Sequence, residues 1–358
     1  MNDRSELRAL TSVRGIAAWF VVLFHIRLSI AGLSPFWLGV LAKGYLAVDF
    51  FFMLSGFVIW LTYANRLRDG GFSEIPRFLR RRIARIWPLH LFMLGCATLL
   101  AMLFAASGRA DPVTFPFAEL PLHLLLIQNW GFTHQLSWNH PAWSISAEMG
   151  AYLLFPLMVS GIDWRRIPSA VIFAAMLALF LLLYSVMAGA AATTLASDIP
   201  RFGLFRCVVE FSAGTMVAAL WDRGHHRPLR PAILAAFVLI ATLLSWQTLG
   251  LPEICAVPAM FAALLLLLSL TSGIAGNPLD SRALHYLGEI SYATYLGHFL
   301  LFVAFKLVFV SDPTNVSLPL IAIYLACVLA SSAILYHGVE RPAQRLINQW
   351  HWPKRQPV

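Results

Sequence analysis

About ten stretches of 18 or more mostly apolar residues recur along the chain, near 10–30, 44–64, 84–106, 143–161, 168–189, 202–221, 231–249, 253–272, 287–310 and 317–338. A helix of about that length spans the roughly 30 Å hydrocarbon core of a bilayer. Inside that core only helices or closed barrels satisfy every backbone N–H and C=O. The spacing therefore predicts an all-α polytopic membrane protein with about ten transmembrane helices. Composition agrees, since 59% of the 358 residues are hydrophobic and 12% are charged, against about 25% charged in soluble domains.

The segments between the apolar runs test this count. With the N-terminus inside, nineteen Arg and Lys fall in cytoplasmic segments, and only Lys43, Arg109 and Arg201 fall outside. The bias alternates through all ten spans, which predicts cytoplasmic N- and C-termini. The net charge of +9 then belongs to membrane orientation, and nucleic acid is not an expected partner. No segment outside the spans is long enough to fold separately, so one membrane domain is expected over 1–342, with a short cytoplasmic tail at 343–358. The first residues, MNDRSELRAL, lack a small-residue cleavage site, so the first helix is expected to be a retained span. Cys96, Cys207, Cys255 and Cys327 are dispersed inside apolar runs and read as packing residues, with no metal site.

Several ionisable side chains lie at membrane depth, where such groups face the protein interior and mark sites or pathways. Arg14 and His25 are eleven residues apart. On a helix this returns to within about 20° of the same azimuth, roughly 16 Å further along. Asp49 sits among aromatic residues near the outer end of the second span. Arg77, Arg80, Arg81, Arg82 and Arg85 crowd the segment leading into the third. Guanidinium forks suit phosphates, so Arg81, Arg82 and Arg85 are candidate anion contacts; His90, one turn deeper, is either a ligand contact or packing. Ser144, Glu148 and Tyr152 repeat every fourth residue and share a helix face. Arg206 and Glu210, also four apart, are expected to neutralise one another. Tyr292, Tyr295 and His298 follow at threes in the ninth span, and Pro342 in HGVERPAQ is expected to close the tenth helix.

Five stretches in this order, LRALTSVRGIAAWFVVLFH, AVDFFFMLSGFVI, RRRIARIWPLH, WSISAEMGAYLLFP and SYATYLGH with the closing ERP, resemble the membrane acyltransferase-3 family. Its members decorate bacterial surface polysaccharides, lipopolysaccharide, Nod factors and some macrolides. The resemblance implies transfer of an acyl group, usually acetyl, from cytoplasmic acyl-CoA to a hydroxyl of a glycan or lipid-linked saccharide, in a protein of the bacterial inner membrane. It nominates Arg14, His25 and Glu148 as catalytic, with the Arg82 and Arg85 segment holding the donor. Asp49, Ser144, Tyr152, Tyr295 and His298 remain possible further site residues. The chemistry suits the residues: a neutral histidine can take the acceptor's proton, and an arginine can steady the oxyanion. No Gly-x-Ser-x-Gly elbow is present for a serine acyl-enzyme. The competing class, a proton-coupled transporter, should carry inverted repeats or broken helices. On the acyltransferase reading, Arg14, His25, Glu148 and residues 80–85 are expected to line one cavity open to the cytoplasmic side.

Overall fold

The computed structural model describes residues 7–349. Arg4, Lys354, Arg355 and much of the expected tail lie outside the described residues. Ten long helices follow one another: α1 (Arg8–Ile26), α2 (Ala47–Gly70), α3 (Ile75–Ala106), α4 (Ala142–Gly161), α5 (Ser169–Ala188), α6 (Ile199–Gly224), α7 (Leu229–Thr248), α8 (Glu253–Thr271), α9 (Ser291–Phe309) and α10 (Leu318–Leu335). Among the described residues, nine continuous helical runs are long and apolar enough to cross a membrane. One of them, Pro35–Ala106, contains both α2 and α3, which part at Gly71 where φ is +56°. The chain is thus an integral membrane protein, and its described residues form the ten helices that hydropathy predicts.

Three boundaries differ from the sequence expectation. α3 begins at Ile75 with a proline in its first turn, well before residue 84, so the arginine cluster is helical. A hydropathy window stops at charge, whereas Arg and Leu continue a helix readily. The ninth span is preceded by a separate helix, Arg282–Glu289, capped by the Ser281 side chain accepting from the Leu284 N–H. Pro342 does not end the tenth: α10 passes through a π turn, Tyr336–Glu340, into a further helix, Arg341–Gln349. There Pro342 occupies the first turn, where a missing N–H costs no helical hydrogen bond.

The helices alternate in direction, which gathers the arginine-rich connections at one end. Arg68 reaches from α2 to the carbonyls of Val159 (3.2 Å) and Ile162 (2.6 Å), and Arg223 reaches from α6 to that of Trp164 (2.7 Å). At the opposite end, Glu253 accepts from Lys43 Nζ (2.7 Å) and the Leu195 N–H (3.0 Å). There too, the loop after α1 pairs with the one before α10 through Ala31 N to Val316 O (3.0 Å) and Val316 N to Ser29 O (2.7 Å).

Close backbone approach decides the centre of the bundle. A Cβ on Gly56 of α2 would lie 1.9 Å from the Phe211 carbonyl oxygen, and one on Gly214 of α6 would lie 1.9 Å from that of Met53. A second such contact joins α1 to the short helix 282–289, where a Cβ on Gly288 would meet the Thr11 oxygen at 1.9 Å. Small residues let helices pack without a hydrophobic driving force between them, which lipid does not supply. α7, by contrast, fully buries only Ala235 and packs chiefly on α8 at the edge of the bundle. Gly56→Ala and Gly214→Ala are each expected to destabilise the fold by about 1–3 kcal/mol through overpacking. Gly39→Ala, with nothing within 4 Å of the added carbon, should leave stability unchanged or slightly raised. Thermal unfolding in detergent distinguishes the three, and equal stability of all would show that the seam can relax.

Candidate active site

Four helices and the start of α9 enclose a cavity of about 170 Å³ towards the arginine-rich end. α1 contributes Arg14, α2 Ser55, α3 Arg82 and Arg85, α4 Ser144, Glu148 and Tyr152, and α9 Ser291, Tyr292 and Tyr295. The four-residue repeat on α4 does place its three polar side chains on one wall. Tyr152 donates to Glu148, and its oxygen lies 3.1 Å from Ser55 Oγ. Arg14 is held at the C-terminal end of the 282–289 helix, donating to the Gly288 carbonyl (2.7 Å) and Ser291 Oγ (2.9 Å). Arg85 pairs with the buried Glu340 on the π turn, and its guanidinium lies 5.6 Å from the Tyr292 ring centre. Arg82 donates to the Tyr63 hydroxyl (3.0 Å) and stands over the rings of Tyr63 and Tyr152, at 5.0 and 5.8 Å. Three guanidiniums and one carboxylate thus line the cavity, with Arg85 already paired to Glu340 behind it. Arg81 is not among its lining residues. His90 is buried elsewhere and bonds the His123 carbonyl through Nε2 (2.8 Å), tying α3 to the long 107–141 connection.

His25 does not line this cavity. It faces a second one of about 290 Å³ with Phe24, Tyr45, His140, Trp143, Arg206 and Tyr295, so the single chamber expected from the shared helix face is divided in two. Both cavities are lined by Val48 and Tyr295. The Tyr295 hydroxyl is fixed between Ser144 Oγ (2.8 Å) and the Pro141 carbonyl (3.0 Å), which holds in place a ring that lines both cavities. The three turns separating Arg14 from His25 on α1 put the two residues on either side of it. His25 Nδ1 lies 2.9 Å from the Val21 carbonyl and 3.1 Å from Nε2 of His298, a buried α9 residue.

Asp49 and Arg206 form a fully buried ion pair between α2 and α6, with Arg206 Nη2 at 2.5 Å and Nε at 3.2 Å from Asp49 Oδ1. The expected neutralisation of Arg206 by Glu210 is thus secondary: the hydrogen bonds of Arg206 go to Asp49, with Glu210 a second acidic neighbour. Glu210 is buried too, its carboxyl close against Asp49 and within reach of the Arg206 charge. A four-residue spacing permits a pair along one helix; the α2–α6 seam brings a competing carboxylate closer. Tyr45 and His140 are polar lining residues that the sequence pattern does not nominate: Tyr45 sits at the outer start of the second expected span and His140 in the connection before the fourth. The spacing presents Arg206 only as half of a local pair.

A family model described as an acyltransferase domain matches residues 7–337. The chain belongs to the acyltransferase-3 family. Acyltransferase MdmB of Streptomyces mycarofaciens is 29% identical over 389 residues, covering 99% of this chain and 94% of that protein. Protein 2 in picA locus of Rhizobium radiobacter is 35% identical over 104 residues, 29% of this chain and 50% of its own length. A Staphylococcus aureus (strain COL) protein provisionally named an O-acetyltransferase is 26% identical over 163 residues, 42% of this chain and 24% of its own. No solved structure is significantly similar to this acyltransferase.

Removing one partner of a buried ion pair typically costs about 3–5 kcal/mol. Asp49→Ala is therefore expected to destabilise this acyltransferase on that scale, while Glu210→Gln, which keeps a hydrogen-bonding group beside Asp49 and leaves the Asp49–Arg206 pair in place, is expected to cost much less. Denaturant titration followed by tryptophan fluorescence checks both, and comparable losses would make Glu210 an equal partner of Arg206.

Proposed function

We propose that this integral membrane acyltransferase moves an acyl group, acetyl in the simplest case, from acyl-CoA to a hydroxyl of a glycan or lipid-linked saccharide. The arginine-rich end faces the cytoplasm of a bacterial cell, and the membrane is the cytoplasmic membrane. The observation that carries this reading is the adjacency of an arginine-lined cavity and a histidine-bearing cavity across one tyrosine ring. The nucleotide and diphosphate of coenzyme A fit Arg82 and Arg85, with Arg82 the guanidinium not already paired to a carboxylate. The thioester then approaches Tyr295, and the acceptor enters the His25 cavity from the opposite end.

At His25, Nδ1 is engaged by protein groups, which leaves Nε2 to accept the proton of the attacking hydroxyl. The hydroxyl oxygen bonds to the thioester carbonyl carbon, the C–S bond breaks, and the imidazolium returns the proton to the departing thiolate. Arg14 and Glu148 act from the donor side: Arg14 offers positive charge near Tyr295, and Glu148 orients Tyr152 along the donor wall.

His25→Ala is expected to insert, fold and bind CoA normally while losing transfer by about 10²–10⁴-fold, read as thiol release from acetyl-CoA by purified protein. Wild-type turnover in this variant would remove His25 from the mechanism. Arg82→Ala should weaken CoA binding by about 10–150-fold, the equivalent of one charge-assisted hydrogen bond of about 1.5–3 kcal/mol. Calorimetry in detergent measures it, and unchanged affinity would move the donor site away from the arginine cavity. Loss of O-acetyl groups from surface glycans of cells lacking the protein would identify the acceptor.

A further inference from the structure

We propose that His298 is the positioning residue of His25: its Nε2 lone pair accepts a hydrogen bond from the His25 Nδ1–H and so keeps the His25 Nε2 lone pair turned to the substrate cavity. This rests on the reading of His25 as the base.

The argument starts from which nitrogens can carry hydrogen. A backbone carbonyl can only accept, so the His25 nitrogen 2.9 Å from the Val21 carbonyl must be protonated. The His298 nitrogen 3.1 Å from the Thr294 carbonyl must be protonated for the same reason. Both are Nδ1 atoms. In a neutral imidazole the other nitrogen is then a bare acceptor. His298 Nε2 is thus a lone pair, and it lies 3.1 Å from the protonated Nδ1 of His25. Had His298 carried hydrogen on Nε2, two N–H groups would meet head-on at that distance.

The surroundings hold His298 in this role. It is 1% exposed, its carbonyl accepts from the Tyr324 hydroxyl of α10 (3.0 Å), and its ring centre is 4.9 Å from that of His25. Phe24 and Phe299 pack edge-on against His25, at 5.0 and 5.6 Å. His25 Nδ1–H is therefore shared between Val21 and His298. The carbonyl is fixed to α1 itself, whereas the His298 ring also sets the orientation of His25 relative to α9 and Tyr295.

The arrangement parallels the partner of histidine in hydrolytic triads, which holds the ring in one tautomer and steadies the imidazolium. When His25 takes the acceptor's proton at Nε2, the Nδ1–H becomes a stronger donor and its hydrogen bond to the His298 lone pair tightens, with the proton staying on His25. When the Nε2 proton leaves for the thiolate, His25 is again neutral with its hydrogen on Nδ1, and no net proton is consumed.

The test uses protein labelled with ¹⁵N in the histidine rings, in detergent or nanodiscs, with the His25 signals assigned by their loss in His25→Gln. The wild type is expected to show neutral His25 as one tautomer, protonated at Nδ1. His298→Ala should give a mixture of tautomers and reduce thiol release from acetyl-CoA, with water or added glycerol as hydroxyl donor, by at least about tenfold. His298→Gln, whose amide oxygen can replace the lone pair, should restore the single tautomer and most of the rate. An unchanged tautomer in His298→Ala would assign the lock to Val21 alone and overturn the proposal. So would a change that His298→Gln leaves unrepaired. If the wild type itself released no thiol, the acyl-CoA reading would fail, and the tautomer comparison would still decide the role of His298.

Discussion

The seam between α2 and α6 is the constraint on which the rest of this acyltransferase depends. Gly56 and Gly214 bring two backbones into contact, and within the same seam Arg206 crosses to Asp49. Each feature needs the other. Without the glycines, the guanidinium and carboxylate would be held apart in a medium where an unpaired charge is severely penalised. Without the ion pair, two charged side chains would sit unpaired in the bundle centre. The seam also sets the walls of both cavities, because α2 carries Val48 and Ser55 on one face and Asp49 on another.

Around this seam the polar groups separate into two environments. Towards the arginine-rich end, guanidiniums face tyrosine rings and a single lining carboxylate, an arrangement suited to a phosphorylated ligand. Towards the other end, the walls are aromatic, with His25, His140 and Tyr45 among them. Tyr295 lines both, and its hydroxyl is already satisfied by Ser144 and Pro141.

The second glycine contact matters for the same chemistry. Gly15 and Gly288 let α1 lie against the helix that precedes α9, so that Arg14 reaches the Gly288 carbonyl at one level and His25 reaches His298 several turns further along. α1 is thereby registered against α9 at two heights. The π turn at Tyr336–Glu340 does related work at the arginine-rich end, where it places the Glu340 carboxylate against Arg85. π turns frequently occur where a side chain must be re-aimed for function.

Much of this protein was legible in its sequence. Segment length and charge alternation predicted ten helices, because a bilayer imposes its thickness and its backbone hydrogen-bonding requirement on any chain that crosses it. Periodicity within one helix was equally legible: Ser144, Glu148 and Tyr152 do share a wall, since helical geometry alone relates them. What spacing could not decide was the relation between helices. Arg206 could have paired with Glu210 on its own helix or with a residue on any other; the choice of Asp49 came from a glycine seam between α2 and α6. Arg14 and His25 share an azimuth, yet a tyrosine from α9 puts them in different cavities. His298 was one more intramembrane histidine until α1 and α9 were brought together. The sequence by itself determined the membrane class, the helices and the faces of each one, because those follow from local geometry and solvent. Only the tertiary structure decided which charges pair, which nitrogen of His25 is engaged by protein groups and where one cavity ends, because these depend on distances between residues far apart in the chain.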